Sequence, residues 1–269
     1  PYNGLGNLDH DITPTSVAYT FAAMSLRRRL ARAYFDAVYN PLYDASTARL
    51  ARYQQAQGRL AELLYVMPGQ RILCAGLGTG NEMTRLRQRE TPLNIAGIDL
   101  SPAAIRRARR KSSHATSTTW FALMDLQSLA FRDGCFERVL CYHVLDFVED
   151  PTAVVRELLR VLTPGGRFVI SFPSGNEDAA FGAGLLRHSV SASGQSQTRI
   201  SRLARAALAG CIYVPLMLRH RPPAYSTVDV QRQLGSLGAE EVIIETDAVY
   251  RDHIASGMKK TKEGISRAT

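Results

Sequence analysis

A short apolar run enters three glycines and leaves as a helix-forming stretch in RILCAGLGTGNE, residues 71–82. Gly76, Gly78 and Gly80 stand at alternate positions, where a chain turns sharply and brings bare backbone close to a surface or a ligand. A strand that turns through glycine into a helix is the opening unit of an open α/β sheet, whose ligands bind beyond the carboxyl ends of its strands. The chain that follows keeps the alternation. We read strands at 71–75, 94–99, 119–123, 137–142 and 166–172, with helices at about 80–89, 102–111 and 151–162 among them. This order predicts a parallel sheet with crossover helices. Ser101 before Pro102 and Asp150 before Pro151 each put a capping oxygen ahead of a proline at the first helical position. Beyond residue 225, STVDVQRQLGSLG reads as a helix, AEEVIIETDA as a strand and HIASGMKK as a last strand. Residues 16–66 read as helices broken at NPLYD and ended by MPGQ.

A chain of 269 residues, 45% hydrophobic, has enough apolar content for one large core. The four cysteines, Cys74, Cys135, Cys141 and Cys211, show no metal-ligand spacing, and three of them lie in apolar runs as small buried thiols do. No metal is expected. A reducing cytoplasm fits them, no secretory signal is seen, and no run reaches the roughly 18 apolar residues of a spanning helix. The formal charge of +9 invites a nucleic-acid reading, but only four of the 33 basic residues are lysines, a skew that coding bias alone produces. Its distribution says more. No acidic residue lies between Asp178 and Asp229, whereas Arg187, Arg199, Arg202, Arg205, Arg219 and Arg221 all do.

The glycine spacing is G-x-G-x-G. A dinucleotide fingerprint needs a third glycine at position 81, where Asn81 stands. Asp99 closes the second strand, 19 residues past Gly80, where a carboxylate accepts the hydroxyls of a ribose. Asp125, in FALMDLQSLAF, follows the third strand, where a carboxylate or its neighbouring backbone meets the edge of a purine. RVLTPGGRFVISF then supplies a helix end, a turn and a buried strand.

With CAGLGTG, GIDLSP, MDLQSLAF and RVLTPGG in this order, residues 69–172 resemble the class I S-adenosylmethionine-dependent methyltransferases, and most of all the branch holding the ubiquinone and menaquinone biosynthesis enzymes. The resemblance implies a Rossmann-like, seven-stranded, mostly parallel sheet with helices on both faces. It also implies an N-terminal helical lid at 1–66, a cofactor-binding core at 67–173, a helical substrate cap at 174–225 and the rest of the core at 226–269. S-adenosyl-L-methionine is the implied cofactor, with Gly76, Gly78 and Gly80 near its methionine part, Asp99 on the ribose, Leu100 packed on the base, and Asp125 and Leu126 facing the adenine. Cys74 departs from the pattern, because the family carries Asp or Glu there and a thiol is not an anion near neutral pH unless its pKa is lowered. Three outcomes follow: Glu82 or an ordered water replaces the acid, the cofactor binds more weakly, or binding is lost. If the loss is merely compensated, aspartate at position 74 is expected to be tolerated.

Methyl transfer is an in-line displacement in which the protein positions the nucleophile and, where needed, removes its proton. CYHVLDF follows the fourth strand, where the family meets the methyl group and the acceptor, and His143 is the candidate base there as well as a cofactor contact. A backbone role for His143 stands beside that reading. The segment has no N-P-P-Y or D-P-P-Y run of the kind carried by enzymes that methylate amino groups of DNA bases, so no DNA partner is expected. Tyr39 and Tyr43, with Tyr34, are either core aromatics or, as the resemblance implies, parts of a lid that closes over a sulfonium through attraction of a cation to an aromatic face.

In the implied cap, AALAGCIYVPLML at 206–218 is uncharged and lies between Arg205 and Arg219. It reads as a buried cap helix, an apolar pocket wall or a surface that dips into lipid with arginines on phosphate headgroups, a basic face that Arg27, Arg28, Arg29 and Arg32 extend. A small lipophilic or anionic acceptor is therefore expected, quinone-, polyketide-, isoprenoid- or phospholipid-like, in a cytoplasmic protein with peripheral contact to anionic membrane. The rival readings are an RNA methyltransferase, disfavoured because no RNA-binding module or interleaved aromatics accompany the arginines, and a protein that keeps the fold and binds without turnover.

Overall fold

The computed structural model describes residues 29, 32–40, 51–88, 92–112, 118–175, 207, 224–247 and 251–261. Tyr43 and nearly all of the expected cap lie outside the described residues.

Seven strands form one sheet: β1 (Arg71–Ala75), β2 (Asn94–Asp99), β3 (Thr118–Leu123), β4 (Phe136–Cys141), β5 (Leu162–Phe172), β6 (Ala239–Thr246) and β7 (His253–Lys259). Their order across the sheet is β3-β2-β1-β4-β5-β7-β6. Pairings from β3 to β5 are parallel, while β7 runs antiparallel to both β5 and β6. The expected seven-stranded, mostly parallel sheet is the one observed. Its direction of progress reverses between β1 and β4, which opens a crevice beyond their carboxyl ends.

Strands buried on both faces are continuous apolar runs rather than alternating ones. Along β1, Ile72 and Cys74 enter one core cluster and Leu73 and Ala75 the other. Among the described residues, five α-helices cover these two faces. On the first lie α1 (Ala51–Leu64), α2 (Asn81–Arg87) and α3 (Pro102–Lys111), through Leu60, Leu64, Met83, Leu86, Ile105 and Ala108. On the second lie α4 (Pro151–Val161) and α5 (Thr227–Ser236), through Val154, Val155, Leu158, Leu159, Val230 and Leu234. The caps anticipated from Ser-Pro and Asp-Pro form: Ser101 accepts the Ala104 amide and Asp150 the Ala153 amide. Ser226 and Asp229 make a reciprocal capping box on α5.

One boundary moved. β5 begins at Leu162, directly at the end of α4, because Leu162 already pairs with Phe136 before a register shift lets Arg167 pair with Arg138. The Pro-Gly-Gly turn is thus absorbed into the strand as an irregularity. Ahead of the sheet, a π-helical turn at Phe35–Tyr39 docks on the start of α3: Asp36 accepts the Ser101 hydroxyl at 2.5 Å and the Ala103 amide at 3.1 Å, and Asn40 donates to Ser101 Oγ at 2.9 Å.

Candidate functional site

A cleft at the carboxyl ends of β1, β2 and β4 gathers the glycine loop, the acids at the end of β2 and after β3, and the segment after β4. The loop's shape follows from its residues. Gly76 has φ +66°, and a Cβ there would lie 2.5 Å from a methyl of Val144, so only glycine lets the turn pass. Gly78 has φ +53° and nothing within 4 Å of where a Cβ would be, so its bare backbone faces the open cleft. Gly80 takes the left-handed position ahead of α2.

Asp99 ties the loop to β2. Its Oδ2 accepts the Gly78 amide at 2.9 Å and its Oδ1 the Ser101 amide at 2.8 Å. Burial pushes this carboxyl above its usual range, against the amides of Ser101 and Gly78, which favour the charge. Each carboxylate oxygen keeps acceptor capacity for a further hydroxyl. Leu100, Met124, Asp125, Leu126 and Gln127 continue the wall, with Asp125 Oδ1 turned back to the Gln127 amide at 3.0 Å.

Tyr39 is buried and lines the cleft from the docked turn; its ring meets Phe35 edge-on at 5.1 Å, and Phe35 meets Phe147 at 5.0 Å. His143 also lines the cleft, with φ +54° and its amide donated to Ser171 Oγ at 2.5 Å. His253 opens β7 and is not part of the lining.

Cys74 does not reach the cleft. It lies 2% exposed among Ile72, Leu77, Met83 and Leu140, and burial drives its thiol far above the ordinary value. Glu82, in the first turn of α2, does reach the cleft. Its Oε1 accepts Tyr53 Oη and Gln57 Nε2, each at 3.2 Å. Burial raises the Glu82 carboxyl, opposed by those two hydrogen bonds and the charge of Lys111. Tyr53 and Gln57, four apart on one face of α1, escaped the sequence reading because Tyr53 has the spacing of a core residue. Asp146 and Asp252, buried behind His143, escaped it too; Asp252 carries no local signal at all.

The cleft has one acid on β2, one after β3, one on α2, bare backbone in the turn and an apolar, aromatic wall. Residues 73–170 match the family model of a methyltransferase domain. That match spans β1 to β5, the strands that carry the cleft. The chain is also similar to curated relatives: 32% identity over 140 residues to a ubiquinone biosynthesis O-methyltransferase of Xanthomonas oryzae pv. oryzae, covering 51% of this chain and 53% of that one. A demethylmenaquinone methyltransferase of Thermus thermophilus is 33% identical over 116 residues, covering 43% and 53%. The chain spans about half the length of these two relatives. Among solved structures, the magnesium protoporphyrin IX methyltransferase of Synechocystis with bound SAH superposes with a TM-score of 0.60 at 16% identity, over 87% of this chain and 100% of that one, a likeness of fold.

Proposed function

We propose that this chain is an S-adenosylmethionine-dependent methyltransferase acting on a small, lipophilic, quinol-like acceptor. The observation that carries the reading is the joined cradle: Gly78 presents open backbone to the cleft while its amide is held by Asp99. The residues fit the cofactor. Asp99 offers its remaining acceptor sites to a ribose, Leu100, Leu126 and Met124 offer an apolar slot to the base beside Asp125, and Glu82 offers an anion to the ammonium in place of an acid at position 74. Bound there, S-adenosylmethionine supplies an activated methyl group.

The chain's own residues then position and shield. Tyr39, Phe35 and Phe147 exclude water from one side of the cleft, and His143 stands where the acceptor arrives. The quinone-biosynthesis relatives and the uncharged run at 206–218 both favour an apolar acceptor body. The domain limits anticipated above, with the lid at 1–66 and the cap at 174–225, belong to this proposal. So does a cytoplasmic place at the face of an anionic membrane. Among the described residues no helix is long and apolar enough to cross a membrane.

Calorimetry with S-adenosylmethionine tests the cofactor, and mass spectrometry of lipid and small-molecule extracts incubated with labelled cofactor tests the acceptor. Label appearing only in RNA would replace the small-molecule reading; tight binding with no labelled product would leave a binding protein.

A further inference from the structure

We propose that Asp252 is a positioning residue that holds His143 as the proton acceptor of the methyl-transfer step, so that the acceptor group is a hydroxyl that loses its proton. The proposal deepens the function proposed above and rests on it.

Of the two histidines among the described residues, only His143 lines the cleft. Its Nδ1 lies 3.3 Å from Asp252 Oδ2 and 3.6 Å from Asp146 Oδ2. Both carboxylates are buried, and neither lines the cleft, so their charge reaches a bound acceptor through the imidazole. A carboxylate only accepts, which places the ring proton on Nδ1 and makes Nε2 the accepting nitrogen of the ring. The arrangement is built by the sheet. His143 is held in a left-handed conformation by the hydrogen bond its backbone amide donates to Ser171 Oγ on β5, and β7 pairs antiparallel with β5 so that His253 lies opposite Phe172. Asp252, 109 positions away in sequence, is thereby set beside the ring.

In the step this serves, an oxygen lone pair of the acceptor forms the new C–O bond and the C–S pair returns to sulfur. The hydroxyl proton passes to Nε2, and the imidazolium so formed is held between Asp252 and Asp146 until it releases the proton to water. An orienting carboxylate of this kind selects the tautomer, and an amide in its place keeps the ring but favours the wrong one.

The test is ¹⁵N correlation spectroscopy of the imidazoles in the full chain labelled at histidine, treated with chelator, at pH 8, with and without S-adenosylhomocysteine. The His143 signals are assigned by their loss in His143→Gln. We expect a protonated Nδ1 and a bare Nε2 in the wild type, and transfer of the proton to Nε2 in Asp252→Asn, whose amide donates to Nδ1. A proton on Nε2 in the wild type, a ring carrying both protons, an unchanged tautomer in Asp252→Asn, or a His143 signal displaced by added Zn²⁺ or Mg²⁺ would each overturn the proposal. The wild-type spectrum decides even where Asp252→Asn does not fold. Calorimetry of S-adenosylmethionine on the wild-type sample separates the two failures: no binding defeats the methyltransferase reading, while the tautomer is read independently.

Discussion

The carboxylate of Asp99 and the backbone amide of Gly78 are joined at 2.9 Å, which couples the end of the second strand to the turn after the first. Removing this carboxylate takes away a hydroxyl acceptor and the anchor of the loop together. Asp99→Ala is therefore expected to weaken S-adenosylmethionine binding by about 1.5 to 3 kcal/mol, the range for hydrogen bonds to a charged group. Calorimetric affinity unchanged in that variant would remove Asp99 from the cofactor site.

Acidification should act at the same place. Burial raises the Asp99 carboxyl above its ordinary 3.8, so it takes up a proton at a higher pH than an exposed aspartate. A protonated carboxyl has less to offer a ribose and the Gly78 amide, and cofactor affinity should fall as pH drops through the window between the raised and the ordinary value. The sign for stability is opposite. A raised acid pKa means the ionised form is disfavoured in the fold, so this group's penalty is absent at low pH and grows as pH rises through that window. Titrations of affinity and of unfolding free energy against pH should diverge accordingly.

Glu82→Gln should separate binding from stability. The amide keeps the shape that Tyr53 and Gln57 meet while removing an anion whose carboxyl burial raises. Cofactor affinity is expected to drop about tenfold, near 1.4 kcal/mol, while the melting temperature at neutral pH holds or rises. Unchanged affinity would show that the ammonium is met elsewhere.

Arg160, at the end of α4, secures the loop after β3. Its guanidinium donates to the carbonyls of Leu129 and Phe131, and Glu157, paired with it, accepts the Leu129 amide at 2.8 Å. Arg160→Met should cost about 2 to 3 kcal/mol in chemical denaturation, as loss of several charge-assisted bonds does. It should also loosen cofactor binding, because the loop it holds leads back to Asp125 and Leu126. Full affinity with reduced stability would mean the loop is held without it.

The buried position of Cys74 reverses the expectation that aspartate is tolerated there. Cys74→Asp is expected to destabilise the domain by on the order of 3 to 5 kcal/mol, since it buries a charge among apolar groups close to Glu82. Cys74→Ala should cost about 1 kcal/mol and keep cofactor affinity. Equal melting temperatures for Cys74→Asp and the wild type would show that the position opens to solvent or to the cleft.

What the sequence determined by itself is local. The strand limits of β1 and β2, the limits of α3, the caps at Ser101 and Asp150 and the turn at Gly76, Gly78 and Gly80 are each written within a few residues, as apolar runs, oxygen-proline pairs and missing side chains. The acid after β2 was legible for the same reason, because a carboxylate at the end of a strand beside a glycine turn has one crevice to face. The tertiary structure alone decided which distant groups share that crevice. Tyr53 and Gln57 reach Glu82 only once α1 packs over α2, and Asp252 reaches His143 only because β7 turns antiparallel beside β5. Cys74 was sealed rather than exposed because α1 and α2 close over its face of β1. Contacts of this kind join segments whose separation along the chain has no period, so their partners are set by how the layers pack and leave no pattern in the sequence.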